Sequence, residues 1–154
     1  MGGGSEGTCR FRPANESTDM GVISGMTAPI PLRRSQLATP ASDPNMMATA
    51  SQSEADEVFL DLEDSVAPNE KRAARDTLIT AVDTHDWSDT VLSFRINGVD
   101  TEWWYRDLID VVSAVGETID DVIVPKVGTA SEIHTVEHLL RAIERAETDR
   151  SDPI

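Results

Sequence analysis

The chain holds 154 residues, 39% of them hydrophobic, with 13 basic residues against 28 acidic ones and a formal charge of −15. That supplies one core, as a single domain or part of a larger one, while the charge argues against nucleic acid or an anionic membrane surface as partner. The single cysteine, Cys9, excludes an internal disulfide and a thiolate metal cluster, no run nears the roughly 18 apolar residues of a membrane span, and a cytoplasmic, salt-adapted (halophilic) protein is expected.

In chain order, residues 1–31 are rich in Gly, Ser, Thr and Pro and show no sustained period, so they read as a disordered or non-native leader ahead of a domain over 32–154. Residues 34–39 predict a strand stopped by Pro40, and Ser42, Asp43 and Pro44 predict a cap for a helix over 45–52. The stretch EVFLDLEDSVAP, 57–68, then passes from the apolar run of Val58, Phe59, Leu60 and Leu62 to the carboxylates of Asp61, Glu63 and Asp64. The run predicts a strand covered on both faces. Its acids face a polar cleft, hold a cation's waters or accept backbone N–H groups; equally, Asp64 and Ser65 could simply end the strand. Pro68 and Asn69 open a second helix with Ala74, Leu78 and Val82 as its apolar stripe. A third strand over 90–96, a helix over 102–115 stopped by Gly116, a fourth strand over 121–124 ending at Pro125 and Lys126, and a helix over 131–148 complete the order.

Four strands, each followed by a helix, specify an α/β fold of β/α units on a parallel sheet, about half of a (β/α)8 TIM barrel. The carboxyl ends of the strands share one side, so Arg34, Asp61, Glu63, Asp64, Arg95, Asn97 and Lys126 are expected to converge there, on the face that carries barrel active sites. The register also predicts a fifth strand where the chain stops.

Arg95 suits bidentate capture of a carboxylate or phosphate, or an ion pair with acids of the neighbouring strand, and both can hold. Arg33 and Arg34 suit a phosphate or solvent; Lys126 is a cleft cation or a counter-ion for Asp61. His134 and His138 stand at i, i+4 without an HExxH pattern, which argues against a metal there. Trp103, Trp104 and Tyr105 read as core packing or a lid over the cleft.

The blocks RRSQLATPASDPNMM, VFLDLEDSVAPNEKRAAR, SFRINGVDTEWWYRDL and VIVPKV, between about Arg33 and Glu147, resemble the citrate lyase β-subunit/HpcH aldolase family, and within it the malyl-CoA/β-methylmalyl-CoA lyases. The resemblance implies a TIM barrel of the phosphoenolpyruvate/pyruvate superfamily type and Mg²⁺- (or Mn²⁺-) dependent carbon–carbon cleavage of a 3-hydroxyacyl-CoA into an acyl-CoA and glyoxylate. A citramalyl-CoA or citryl lyase subunit and a non-catalytic CoA-ester-binding fragment are the alternatives. It further implies that Arg95 binds the oxo-acid carboxylate, that Glu63 and Asp64 lie near the metal's water shell, that Arg34 and Lys71 hold the coenzyme A portion, and that the complete protein is a homo-oligomer. Direct metal ligands are implied beyond Ile154. TPAS, Thr39 to Ser42, replaces the family's usual VPGS, which puts the loop near the coenzyme phosphates in doubt.

Overall fold

The computed structural model describes residues 33–154; the leader expected over 1–31 lies outside the described residues. Strands β1 (Gln36–Pro40), β2 (Glu57–Asp61), β3 (Val91–Arg95) and β4 (Asp121–Ile123) alternate with helices α1 (Pro44–Ala50), α2 (Lys71–Thr84), α3 (Trp104–Val115) and α4 (Ala130–Glu147). A short 3-10 turn, Pro68–Glu70, leads into α2. All three strand pairs are parallel, in the order β1-β2-β3-β4, which is the partial α/β barrel expected from the sequence.

Local chemistry explains these boundaries. Asp43 caps α1 by accepting from the backbone N–H groups of Asn45 and Met46, with Pro44 preset for the first turn. Side chains alternate across the sheet, so Val58, Leu60, Leu62, Leu92, Phe94 and Ile96 all point to the helix layer, at most 1% exposed. Against them pack Leu78 and Val82 of α2 and Leu108, Val111 and Val112 of α3. The opposite face carries Glu57, Phe59 and Asp61 of β2 and Ser93 and Arg95 of β3 in register. No helix among the described residues is long and apolar enough to cross a membrane.

The first strand begins two residues later than the expected Arg34, and this matters for the site. Arg34 precedes β1, at the amino ends of the strands, and its guanidinium closes on Asp56, just before β2, with Nη2 to Oδ1 at 2.6 Å and Nε to Oδ2 at 3.1 Å. The expectation that Arg34 joins the other polar groups at the carboxyl ends is therefore corrected. A parallel strand carries its first residues away from the end where its last residues emerge.

Candidate functional site

At the carboxyl ends the sheet ladder continues past the strand tips: Ala41 N–H donates to the Asp61 carbonyl, Leu62 N–H to that of Arg95, and Ile96 N–H to that of Ile123. This fixes the starts of the loops that follow β1, β2 and β3 against the ends of β2, β3 and β4. Asp61, only 3% exposed, is the hub. Its carboxylate accepts from the backbone N–H of Glu63 at 2.8 Å and of Ser65 at 3.1 Å, folding the loop back in an Asx-type turn. It also accepts Arg95 Nε at 2.9 Å and Nη2 at 2.8 Å. Of the five N–H donors of a guanidinium, two are thus spent on Asp61, and the rest remain for the Glu63 side and the cleft. Phe59 lies under the guanidinium, 5.5 Å away.

Burial pushes the Asp61 carboxyl up, but the Arg95 fork and the N–H donors outweigh it and lower it to about 2. Its folded value lies below the ordinary 3.8, so the ionised group favours the folded state above about pH 4, and about 2 kcal/mol of stability is lost as pH falls through the folded value. Acid unfolding of the complete protein, followed by circular dichroism, should steepen between about pH 4 and 2, and Asp61→Asn should flatten that limb. Parallel acid limbs in the two proteins would refute this.

Glu63 follows two residues on and faces the same way. Lys126 Nζ stands 2.8 Å from its Oε1 and Arg95 Nη1 3.4 Å from its Oε2. Neither approach is directed as a hydrogen bond, and both oxygens of this buried carboxylate lack a hydrogen-bond donor among the described residues. Such a group invites one. Asp64 is exposed and pairs with Lys126 at 3.1 Å. Lys126 reaches both acids from a backbone at φ 52°, in the left-handed region that a lysine rarely adopts.

The Lys71 ammonium is buried and donates to the carbonyls of Leu62 at 2.7 Å and Glu63 at 2.5 Å. It also sits 5.5 Å over the Trp103 ring. Desolvation lowers its pKa against the pull of Asp107 and Asp61. Through these contacts Lys71 ties the β2–α2 loop to α2 from beneath.

Glu63, Asp64, Lys71, Asn97, Trp103 and Lys126 line a cleft of about 300 Å³. The structure thus brings Arg95, Glu63, Asp64, Lys71 and Lys126 together and leaves Arg34 out. The sequence reading missed Asp107, which is fully buried on α3 and accepts Asn97 N–H at 2.9 Å and Nδ2 at 2.7 Å. An acid on the same helical stripe as Val111 and Val115 was the available signal. His134 and His138 are exposed on α4.

Arg95, Lys71 and Lys126 face Asp61, Glu63, Asp64 and Asp100, so the site carries one acid more than it has cations. An oxo acid entering alone would leave an uncompensated negative charge, whereas a carboxylate entering with a divalent cation would not. The Glu63 oxygens, ion-paired but without a directed hydrogen bond, fit a hydrated hard cation, whose waters donate. Among the described residues, no group of three or more His, Cys, Asp and Glu could hold the ion directly.

The family model described as HpcH/HpaI aldolase/citrate lyase matches residues 34–153. L-malyl-CoA/beta-methylmalyl-CoA lyase of Cereibacter sphaeroides (strain ATCC 17025 / ATH 2.4.3) is 46% identical over 121 residues, covering 79% of this chain and 38% of that protein. Protein CitE from Mycobacterium tuberculosis, solved in complex with magnesium and pyruvate, superposes with a TM-score of 0.57 at 32% identity, over 69% of this chain and 42% of the other. Malate synthase of Haloferax volcanii, solved as a lead(II) complex, superposes with a TM-score of 0.65 over 75% of this chain and 38% of the other; at 14% identity it supports the fold alone. The chain spans about 38% of the length of this curated relative.

Proposed function

Because the chain belongs to the HpcH/HpaI aldolase/citrate lyase family, we propose that the complete protein is a divalent-metal-dependent lyase that splits a 3-hydroxyacyl-CoA such as malyl-CoA or methylmalyl-CoA into an acyl-CoA and glyoxylate. The observation that carries this reading is the Arg95 fork, held on one edge by two hydrogen bonds to Asp61 and only loosely ion-paired on the other, where Nη1 stands 3.4 Å from Glu63. A guanidinium so oriented receives the carboxylate of the two-carbon oxo acid with little reorganisation. Both the C. sphaeroides lyase and the magnesium–pyruvate complex of CitE favour the same substrate class.

Arg95 binds and orients the carboxylate in this scheme. Glu63 and Asp64 would accept hydrogen bonds from water on Mg²⁺ (Mn²⁺ suits the same oxygen set), whose direct ligands would come from outside the described residues. The ion, when bound, polarises the oxygen of the hydroxy-acid unit as a Lewis acid. Lys126 pairs with both carboxylates, and Lys71 holds the loop fixed. Cleavage breaks the carbon–carbon bond beside the hydroxyl-bearing carbon; the hydroxyl gives up its proton as that carbon becomes the aldehyde of glyoxylate, and the electron pair stays with the acyl-CoA as an enolate, which takes up one proton in return. Fixed cations around the developing charge require no rearrangement at that moment. Homo-oligomeric assembly, a cytoplasmic location and a need for high salt are part of the same proposal, the last resting on the charge of −15.

The test incubates the complete protein with malyl-CoA, methylmalyl-CoA and citramalyl-CoA, with Mg²⁺ or with chelator, and detects the oxo acid released. Glyoxylate from the first two, only with metal, is the expected result. Pyruvate from citramalyl-CoA alone would move the substrate, and release indifferent to chelation would overturn the mechanism.

A further inference from the structure

Behind the cleft lies a buried polar chain that the scheme above does not use. Arg75 of α2 donates from Nη1 to Asp107 Oδ1 at 3.1 Å and from Nε to Asp110 Oδ2 at 2.9 Å. Asp107, without solvent exposure, turns its other oxygen to both N–H groups of Asn97, the backbone at 2.9 Å and the side chain at 2.7 Å. A carboxylate can only accept here, so the nitrogen end of the Asn97 amide must face it and the oxygen end must face away. Asn97 is 2% exposed and lines the cleft together with Glu63, the acid that Arg95 Nη1 approaches at 3.4 Å. No donor among the described residues reaches its amide oxygen.

We propose that Asp107, braced by Arg75, is a positioning residue that fixes the Asn97 amide oxygen toward the cleft, where it accepts the hydrogen bond of the substrate's hydroxyl. This rests on the lyase reading above. The hydroxyl of such a substrate is borne by the carbon next to the carboxylate. A carboxylate gripped by Arg95 beside Glu63 therefore leaves its hydroxyl toward the cleft that Glu63 and Asn97 both line. The acceptor steers that hydroxyl for the reaction and adds little to overall binding of a large thioester, so its loss falls on kcat more than on KM.

The experiment is a double-mutant cycle on the complete protein, with malyl-CoA as probe. Asp107→Asn and Asn97→Ala are each expected to lower kcat about tenfold with KM changed less than about threefold, and the double variant to be no worse than about twofold below Asn97→Ala alone. Additive losses, or a normal kcat for Asp107→Asn, would overturn the proposal. Arg75→Lys loosens the same carboxylate from its other side and should show the same non-additivity, which covers the case in which Asp107→Asn does not fold. A purely structural role would reduce stability equally in both backgrounds and leave kcat additive. Failure of the lyase reading looks different: the unaltered protein then releases no glyoxylate. The Asn97 side-chain N–H signals then still decide the latch, exchanging slowly in the unaltered protein and at solvent rate in Asp107→Asn; fast exchange in both would remove it.

Discussion

Arg95→Ala in the complete protein should lower kcat/KM by about 10²- to 10³-fold and should also destabilise the fold by about 3 kcal/mol. The two losses have different origins. Activity falls because the substrate carboxylate loses a charge-assisted, two-pronged partner. Stability falls because Asp61, with its side chain 5% exposed, and Glu63, 6% exposed, stay behind as acids without their shared cation. Arg95→Lys separates the terms: it keeps a positive charge near Asp61 but cannot span two oxygens of Asp61 and still present a flat edge to the cleft. Its denaturant midpoint should lie close to that of the unaltered protein while its turnover stays low. Near-normal turnover in either variant would remove Arg95 from the site.

The second large effect concerns Lys71. Lys71→Met keeps the length and apolar stem of the side chain but leaves the carbonyls of Leu62 and Glu63 without their donor. Two buried acceptors lost together should cost about 3 kcal/mol, read as a lower urea midpoint with an unchanged slope. Were Lys71 instead a coenzyme contact, the same substitution would raise KM for the thioester and leave the midpoint in place. A raised KM with an unchanged midpoint would overturn the tether.

Much of this arrangement was legible in the sequence. The alternation of apolar runs and helical stripes gave four β/α units, and the observed elements differ from expectation mainly at their ends, as with Arg34 against Gln36. The grouping of Glu63, Asp64, Arg95 and Lys126 followed from strand direction alone, because parallel strands deliver their last residues to one side. Arg34 failed by the same logic: two residues decide whether a side chain belongs to the start of a strand or to its end.

The sequence by itself determined the parallel α/β fold, the family and the side of the sheet on which the acids and cations meet. Only the tertiary structure decided how they are shared: that Asp61 takes one edge of Arg95, that Lys71 is spent on carbonyls, and that Asp107 reaches across to Asn97. The physical reason is that periodicity records burial, which every residue of an element reports. A hydrogen-bond partner instead depends on a few tenths of an ångström between elements far apart in the chain, and no local pattern carries that distance.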